Sequence, residues 1–127
     1  MEKRNYANIS MNLEGKSAIV TGGSLGIGAA IALKLAECGA NVAINYRKHK
    51  EEAEEVINQI NAMGVKGLLV QADISNYEDA ARMIETATNE FGGIDILVNN
   101  AGINWDGVIW KMSEEQWDSV ININLKG

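Results

Sequence analysis

The first segment that could bind a ligand is the glycine-rich run T-G-G-S-L-G-I-G at residues 21–28. It follows a short apolar run and leads into a segment rich in alanine and leucine. A diphosphate needs backbone N–H groups directed at it and no Cβ in the way, and a glycine turn at a helix N-terminus supplies both. The spacing T-G-x-x-x-G-x-G after a strand therefore predicts a phosphate-binding loop. The alternative is an ordinary glycine turn that begins a helix.

A basic cluster, R-K-H-K at residues 47–50, follows the second apolar run. At this position of a dinucleotide-binding sheet, an acid would bind the 2′-hydroxyl of NAD, whereas a basic residue accommodates the 2′-phosphate of NADP. Arg47 therefore predicts NADP as the cofactor, with NADPH favoured over NADH. The alternative is that Lys48 and Lys50 only pair with Glu52 and Glu54 along a helix.

Two further strand ends carry polar residues. Asp73 could accept a hydrogen bond from an adenine amino group while the Ile74 amide donates to the ring. The alternative is an acid placed just before a helix, where acids are favoured anyway. Asn99 and Asn100 could tie neighbouring strand ends together, and the small pair at residues 101–102 would leave room for a ribose. The alternative for this segment is a simple Asn/Gly turn.

Asn124 is the last residue whose position suggests a function. It lies seven residues after Trp117, on the apolar face that Val120 and Ile121 continue in a predicted helix. A polar amide on the inward face of a helix needs hydrogen-bond partners. The alternative is an asparagine satisfied within the core.

Alternating strands and helices must position these residues. Short apolar runs bounded by glycine and polar residues predict strands at residues 17–21, 41–46, 67–72 and 94–98. Apolar residues at helical spacing predict helices over residues 27–36, from residue 51 to 63, after a capping box at residues 75–78, and after a second one at residues 113–116.

Helices between successive strands force parallel pairing with right-handed crossovers. The strands are apolar along their whole length, as expected for parallel strands buried on both faces. The sequence therefore predicts an α/β fold with a doubly wound parallel sheet that ends after about four strands. In such a sheet ligands bind beyond the carboxyl ends of the strands, where each of the polar segments above is predicted to lie.

Composition limits the function classes that remain. The chain has 127 residues, 46% of them hydrophobic and 22% charged, which is typical of one globular domain. A net charge of −6 excludes a general attraction to nucleic acid or anionic membrane. One cysteine excludes an internal disulfide, and the single histidine has no ligand partners at metal-binding spacing. Neither a signal peptide nor an apolar run of membrane-spanning length is visible, so we expect a cytoplasmic protein.

The motifs together resemble the short-chain dehydrogenase/reductase family. The resemblance rests on T-G-x-x-x-G-x-G at residues 21–28, Asp73, N-N-A-G at residues 99–102 and Asn124 within N-I-N-L-K-G. Residues 99–107 and 111–118 look most similar to the family's 3-oxoacyl-[acyl-carrier-protein] reductases. The resemblance implies a Rossmann fold that binds NADP over residues 13–127, preceded by a disordered or extended lead at residues 1–12. It also implies reduction of a ketone by hydride from NAD(P)H.

The resemblance also implies roles for individual residues. The diphosphate and ribose would be held by the glycine-rich run, through Gly22, Ser24, Leu25, Gly26, Ile27 and Gly28. The other cofactor residues would be Arg47 at the 2′-phosphate, Asp73 and Ile74 at the adenine, and Asn100, Ala101 and Gly102 beside the ribose. Asn124 matches the asparagine of the family's catalytic Asn-Ser-Tyr-Lys set, where it supports a proton-relay water.

The remaining catalytic residues of the family lie downstream of this asparagine. Tyr46 and Lys50 have the Tyr-x-x-x-Lys spacing, but they are predicted at the adenosine end. We therefore expect the N-terminal, cofactor-binding half of a longer reductase of 3-oxoacyl thioesters, inactive alone and tetrameric when intact. The fourth predicted strand would then have an unpaired apolar edge. The alternatives are a sugar or alcohol dehydrogenase of the same family, and a nucleotide-binding module without catalysis.

Overall fold

A computed structural model describes residues 12–100 and the backbone of residues 121–124. The strands are β1 (Ser17–Val20), β2 (Asn41–Tyr46), β3 (Gly67–Gln71), β4 (Ile96–Asn99) and β5 (Ile121–Asn124). The helices are α1 (Gly26–Glu37), α2 (Lys50–Ala62) and α3 (Tyr77–Phe91). None of the helices in this part of the chain is both long and apolar enough to cross a membrane.

The five strands form one parallel sheet in the order β3-β2-β1-β4-β5. The chain builds outward from β1 to β3, and α3 then carries it back across the sheet to β4 on the other side of β1. This reversal is the switch point of a doubly wound sheet, and it opens a crevice at the carboxyl ends of β1 and β4. The predicted fold class is therefore confirmed.

The segment Ile121–Asn124 differs from the prediction. It was predicted to continue a helix, but it forms β5, which pairs with β4 with Ile121 opposite Ile96 and Asn124 opposite Asn99. Isoleucine and asparagine alternate in this segment, which is the period of a strand, and isoleucine is β-branched. The predicted open edge of β4 is wrong for the same reason, because β5 covers it.

Both faces of the sheet are buried. Alternate residues of β1 point to opposite sides, so Ala18 and Val20 pack with α1 and α2 while Ile19 packs with α3. Small side chains bring the helices close to the sheet, and Ala32 of α1 and Ala80 of α3 are both fully buried. This two-sided burial explains why the strands read as continuous apolar runs.

The helix ends follow local chemistry. Gly39 follows α1 with φ of 104°, and its amide donates to the Ala36 carbonyl. Helix α3 begins one residue later than the predicted capping box implies, because Asn76, not Ser75, accepts from the Asp79 amide at 3.0 Å.

Leu13, the first residue of the predicted domain, is buried, and its amide donates to the Cys38 carbonyl. Most of the predicted lead, residues 1–11, lies outside the described residues.

Candidate nucleotide-binding site

A cleft of about 580 Å³ lies at the carboxyl ends of β1, β2 and β3. The loops that follow these strands line it, and Asn100 closes it on the β4 side. The lining residues are Gly22, Ser24, Leu25, Asn45, Tyr46, Arg47, Lys48, His49, Ala72, Asp73, Ile74, Ser75 and Asn100. The structure thus brings the glycine-rich run, Arg47, the Asp73–Ile74 pair and Asn100 to one concave surface.

The glycine-rich loop depends on missing side chains at two points. Gly22 adopts φ of 64°, a left-handed conformation that L side chains rarely take. A Cβ on Gly28 would lie 2.1 Å from the Gly22 carbonyl oxygen and 2.7 Å from the Asn100 amide nitrogen. Gly28 therefore allows the first turn of α1 to pack directly on the loop that leads into it.

The N-terminus of α1 faces the cleft without a capping side chain. Leu25 occupies the N-cap position, and the first turn reads Gly-Ile-Gly-Ala. The Ala29 amide makes the bond to the Leu25 carbonyl, so the three amides before it belong to the unpaired first turn of a helix. Leu25 and Ile27 are exposed apolar side chains beside these amides. Together with the helix dipole, the arrangement favours a bound anion.

Two asparagines hold the Gly22 residue from either side. Asn45 Oδ1 accepts from the Gly22 amide at 3.0 Å, and Asn100 Nδ2 donates to the Gly22 carbonyl at 3.3 Å. The Gly23 amide donates to the Asn45 carbonyl at 3.1 Å. The amides of Gly22 and Gly23 are thus used within the protein, so the amides that can meet an anion are those farther along the loop and at the start of α1.

Asn45 is the residue of the cleft that the sequence analysis missed. A signal was present, because asparagine is the only polar residue inside the apolar run Val42 to Tyr46. Its side chain is buried, which requires hydrogen-bond partners. The carboxyl end of β4 is tied in a similar way, since the Thr21 hydroxyl lies 3.5 Å from Asn99 Oδ1.

Arg47 and Asp73 face each other across the adenosine end of the cleft. Arg47 Nε lies 3.9 Å from Asp73 Oδ2, and the Arg47 side chain is two-thirds exposed. Asp73 Oδ1 accepts from the Ser75 hydroxyl at 2.6 Å and from the Ser75 amide at 3.1 Å. The Ser75 hydroxyl bond, then the Ser75 amide bond and the Arg47 charge, lower the pKa of Asp73. Asp73 is therefore an ionised acceptor at neutral pH.

The other basic residues make weaker contacts. His49 precedes α2 and its Nδ1 lies 3.8 Å from Glu52 Oε2. None of the ion pairs among the described residues involves Lys48 or Lys50, so the alternative, in which they pair with Glu52 and Glu54, is not formed there. Lys48 and His49 line the cleft beside Arg47. The rim of the cleft is thus locally basic although the chain is acidic.

The remaining predicted site residues have different positions. Asn124 lies at the carboxyl end of β5, in register with Asn99. Ala101 and Gly102 lie outside the described residues, as do Trp117, Val120 and the second predicted capping box. Within residues 12–100, no three histidine, cysteine or acidic side chains are grouped as a metal site would require.

Comparison with known proteins shows which family the chain resembles. Residues 16–127 match the sequence profile of the short chain dehydrogenase family. The chain is 50% identical over 112 residues to the 3-oxoacyl-[acyl-carrier-protein] reductase FabG of Staphylococcus aureus strain Mu50, which covers 88% of this chain and 46% of that protein. An uncharacterized oxidoreductase of Methylorubrum extorquens is 44% identical over 115 residues, covering 91% of this chain and 46% of that protein.

Solved structures show the same likeness in three dimensions. A short chain dehydrogenase from Burkholderia cenocepacia J2315, in complex with NADP, superposes with a TM-score of 0.71 at 44% identity. The superposition covers 85% of this chain and 44% of that one. The chain therefore spans about half the length of the curated relatives it matches. On the match over residues 16–127, this protein belongs to the short-chain dehydrogenase family.

Proposed function

We propose that the cleft binds NADP(H), with NADPH preferred to NADH. The observation that carries the proposal is the placement of an exposed arginine across the cleft from a helix N-terminus without a capping side chain. The helix end suits a diphosphate, and Arg47 suits a further phosphate on the adenosine ribose. The solved relative from Burkholderia cenocepacia is described in complex with NADP, which supports the same assignment.

The described residues fit such a cofactor. A Cβ on Gly26 would meet no atom within 4 Å, so open space lies in front of the α1 N-terminus. The proposed diphosphate and ribose contacts come from Gly22, Ser24, Leu25, Gly26, Ile27 and Gly28. Gly22 contributes by its conformation and not by its amide, because that amide donates its hydrogen bond to Asn45 Oδ1.

The adenosine half is assigned to the opposite wall. Arg47 would bind the 2′-phosphate, and Asp73 with Ile74 would bind the adenine. Asp73 Oδ2 is the carboxylate oxygen that the Ser75 bonds leave for an amino group. Asn100, Ala101 and Gly102 are assigned to the ribose beside the nicotinamide.

We assign the intact protein to the reduction of 3-oxoacyl thioesters to 3-hydroxyacyl thioesters, as in fatty acid synthesis. The name and 50% identity of the Staphylococcus aureus relative support this substrate class over a sugar or a simple alcohol. When bound, NADPH would supply the hydride that adds to the ketone carbon, and the ketone oxygen would take up a proton as the cofactor is oxidised to NADP⁺. We expect a cytoplasmic homo-oligomer whose substrate is free or bound to an acyl carrier, without nucleic-acid or membrane partners.

Asn124 is the residue of this chain assigned to the proton relay. It lies at the carboxyl end of β5, which is the end of the sheet where the cleft lies, and it is opposite Asn99 of the neighbouring strand β4. Among the described residues, the Tyr-x-x-x-Lys spacing occurs only at Tyr46 and Lys50. Tyr46 lines the cleft at the end of β2 and Lys50 begins α2, so the pair lies at the proposed adenosine end and not beside β5. We therefore expect the 127-residue chain to bind cofactor but to show no turnover of acetoacetyl-CoA with NADPH. Measurable turnover by this chain would contradict the expectation.

The binding proposal is tested by titrating NADPH and NADH against the chain and following nicotinamide fluorescence. A charge-assisted hydrogen bond contributes about 1.5–3 kcal/mol, so Arg47→Ala should weaken NADPH binding by about 10- to 100-fold and leave NADH nearly unchanged. Lys34→Ala is the matched control, because it removes an exposed cation at the far end of α1. Equal affinities for the two cofactors, an unaffected Arg47→Ala variant, or no binding of either cofactor would each overturn the proposal.

A further inference from the structure

We propose that Asn45 is a positioning residue that sets the glycine-rich loop for nucleotide binding by joining it to the end of β3. This proposal rests on the nucleotide-binding function proposed above. Asn45 is the fifth residue of β2 and its side chain is buried, whereas the residues before it in the strand, from Val42 to Ile44, are apolar. A buried amide in such a strand costs stability unless both of its polar atoms are satisfied.

The Asn45 side chain uses its two polar ends in different directions. Oδ1 accepts from the Gly22 amide at 3.0 Å, on the β1 side of the strand. Nδ2 donates to the Ala72 carbonyl at 2.8 Å, on the β3 side. One amide therefore spans the ends of three neighbouring strands, and it needs both a donor and an acceptor to do so.

The contact to Gly22 fixes the direction in which the loop leaves β1. Gly22 is held in a left-handed conformation, with its amide on Asn45 and its carbonyl on Asn100. The peptide is thus held from β2 and from β4, on both sides of the switch point. Since the same carbonyl lies against Gly28, the position of Gly22 also sets where the first turn of α1 begins.

The contact to Ala72 reaches the other half of the cleft. Ala72 directly precedes Asp73, whose carboxylate lies 3.9 Å from Arg47. The Asp73 backbone is held in turn by Asp79 Oδ2, which accepts from the Asp73 amide at 2.9 Å. The bond to Ala72 therefore fixes the Asn45 side chain from the β3 side, while Asp79 holds the Asp73 backbone independently of Asn45.

This role predicts a distinct pattern of binding. Replacing Asn45 with alanine should weaken NADPH and NADH by a similar factor, about 10-fold, because the diphosphate is common to both. The ratio of the two affinities should stay as in the unaltered protein. Arg47→Ala has the opposite signature, because it should change the ratio.

Asn41→Ala is the matched control. Asn41 lies on the same strand, at its amino end, and its Oδ1 accepts from the Lys66 amide at 3.0 Å. Both variants remove one asparagine side chain that bridges β2 to the chain beside it, but only one bridge is at the cleft. Titrations of both variants at a temperature where circular dichroism shows them folded should find cofactor affinity lowered in Asn45→Ala and unchanged in Asn41→Ala. Unchanged affinity in folded Asn45→Ala, or an altered NADPH-to-NADH ratio, would overturn the proposal.

A second measurement separates this proposal from the nucleotide assignment. Amide hydrogen exchange at Gly22 should become faster in Asn45→Ala and stay the same in Asn41→Ala, with no cofactor present. If the unaltered chain binds neither cofactor, faster exchange still supports the loop-setting role while the proposed function fails; unchanged exchange overturns the role itself. If Asn45→Ala does not fold, Asn45→Ser takes its place, because its shorter side chain cannot span Gly22 and Ala72 as the asparagine does. Relative to the unaltered chain, it should bind both cofactors more weakly and exchange the Gly22 amide faster; unchanged exchange in Asn45→Ser would overturn the role.

Discussion

Asp73 shows how the immediate neighbours of a side chain favour its charged form. Its carboxylate accepts two hydrogen bonds from Ser75 and lies near the Arg47 guanidinium, and these contacts favour the charged form. A depressed pKa means that the folded state gains stability from these bonds at pH values above the ordinary aspartate pKa. That gain is lost as the pH falls through the depressed pKa of the folded protein.

Removing the Ser75 hydroxyl tests this origin. In Ser75→Ala we expect the pKa of Asp73 to rise toward the ordinary aspartate value, because the bond that lowers it most is gone. Arg47→Ala should raise it less, since the arginine charge is the weaker cause. Carbon chemical shifts of the Asp73 carboxyl, followed through an acid titration by nuclear magnetic resonance, measure the change. The control is Ser24→Ala, which alters another serine of the cleft and should not change the pKa of Asp73. An unchanged pKa in Ser75→Ala would show that the Ser75 hydroxyl does not lower the pKa of Asp73.

At the scale of helices and strands, the sequence predicts the order of the elements but not every boundary. The apolar runs and glycine stops place β1 to β4 and α1 to α3 within a few residues of their observed bounds. The apolar spacing of Trp117, Val120 and Ile121 favours a helix through this segment. The structure has a strand at Ile121–Asn124 because these residues pair with β4, a partner distant in sequence. Asn45 was missed because its role depends on Gly22 and Ala72, which are distant in sequence. Such tertiary partners cannot be read from local periodicity.

Gly26 and Gly28, in the first turn of α1, together test whether this helix packs on the glycine-rich loop. Gly28→Ala should destabilise the fold by about 3 kcal/mol, because the added Cβ meets backbone of the loop at 2.1 Å and α1 must shift. Gly26→Ala should cost only about 1 kcal/mol, because its Cβ meets open space and the penalty is the left-handed φ of 55° alone. Urea unfolding of the two variants measures the difference. The reverse order of stability would mean that α1 does not pack on Gly22 as described.

At the scale of the whole sheet, the buried apolar side chains of residues 12–100 form two layers, one on each face. Helices α1 and α2 cover one face and α3 the other, while β1 has a strand on each side. Burial on both faces makes the centre of the sheet the most protected part of the fold. The polar cleft lies at the carboxyl end of the central strand β1, so the loops that line it are supported by the buried sheet.

Amide hydrogen exchange should reproduce this layering. The amides of β1 should exchange most slowly, because both neighbouring strands and both helical layers must open before water reaches them. The amides of β3, at the edge of the sheet, should exchange faster, since half of them point away from any described strand. Exchange followed residue by residue over time checks this order. Equal protection of β1 and β3 would indicate that the edge of β3 is covered in solution.

The pairing of β1 with β4 also dictates when the cleft can exist during synthesis. The Gly22 carbonyl and its Asn100 partner are 78 positions apart, and Thr21 depends on Val98 in the same way. A ribosome that has released only β1 to β3 therefore presents a loop held from one side, by Asn45 alone. Since distant contacts form only after loop closure has been overcome, we expect the loop to acquire its final shape late in folding. On the proposed function, a nucleotide would then bind with full affinity only once β4 has joined the sheet.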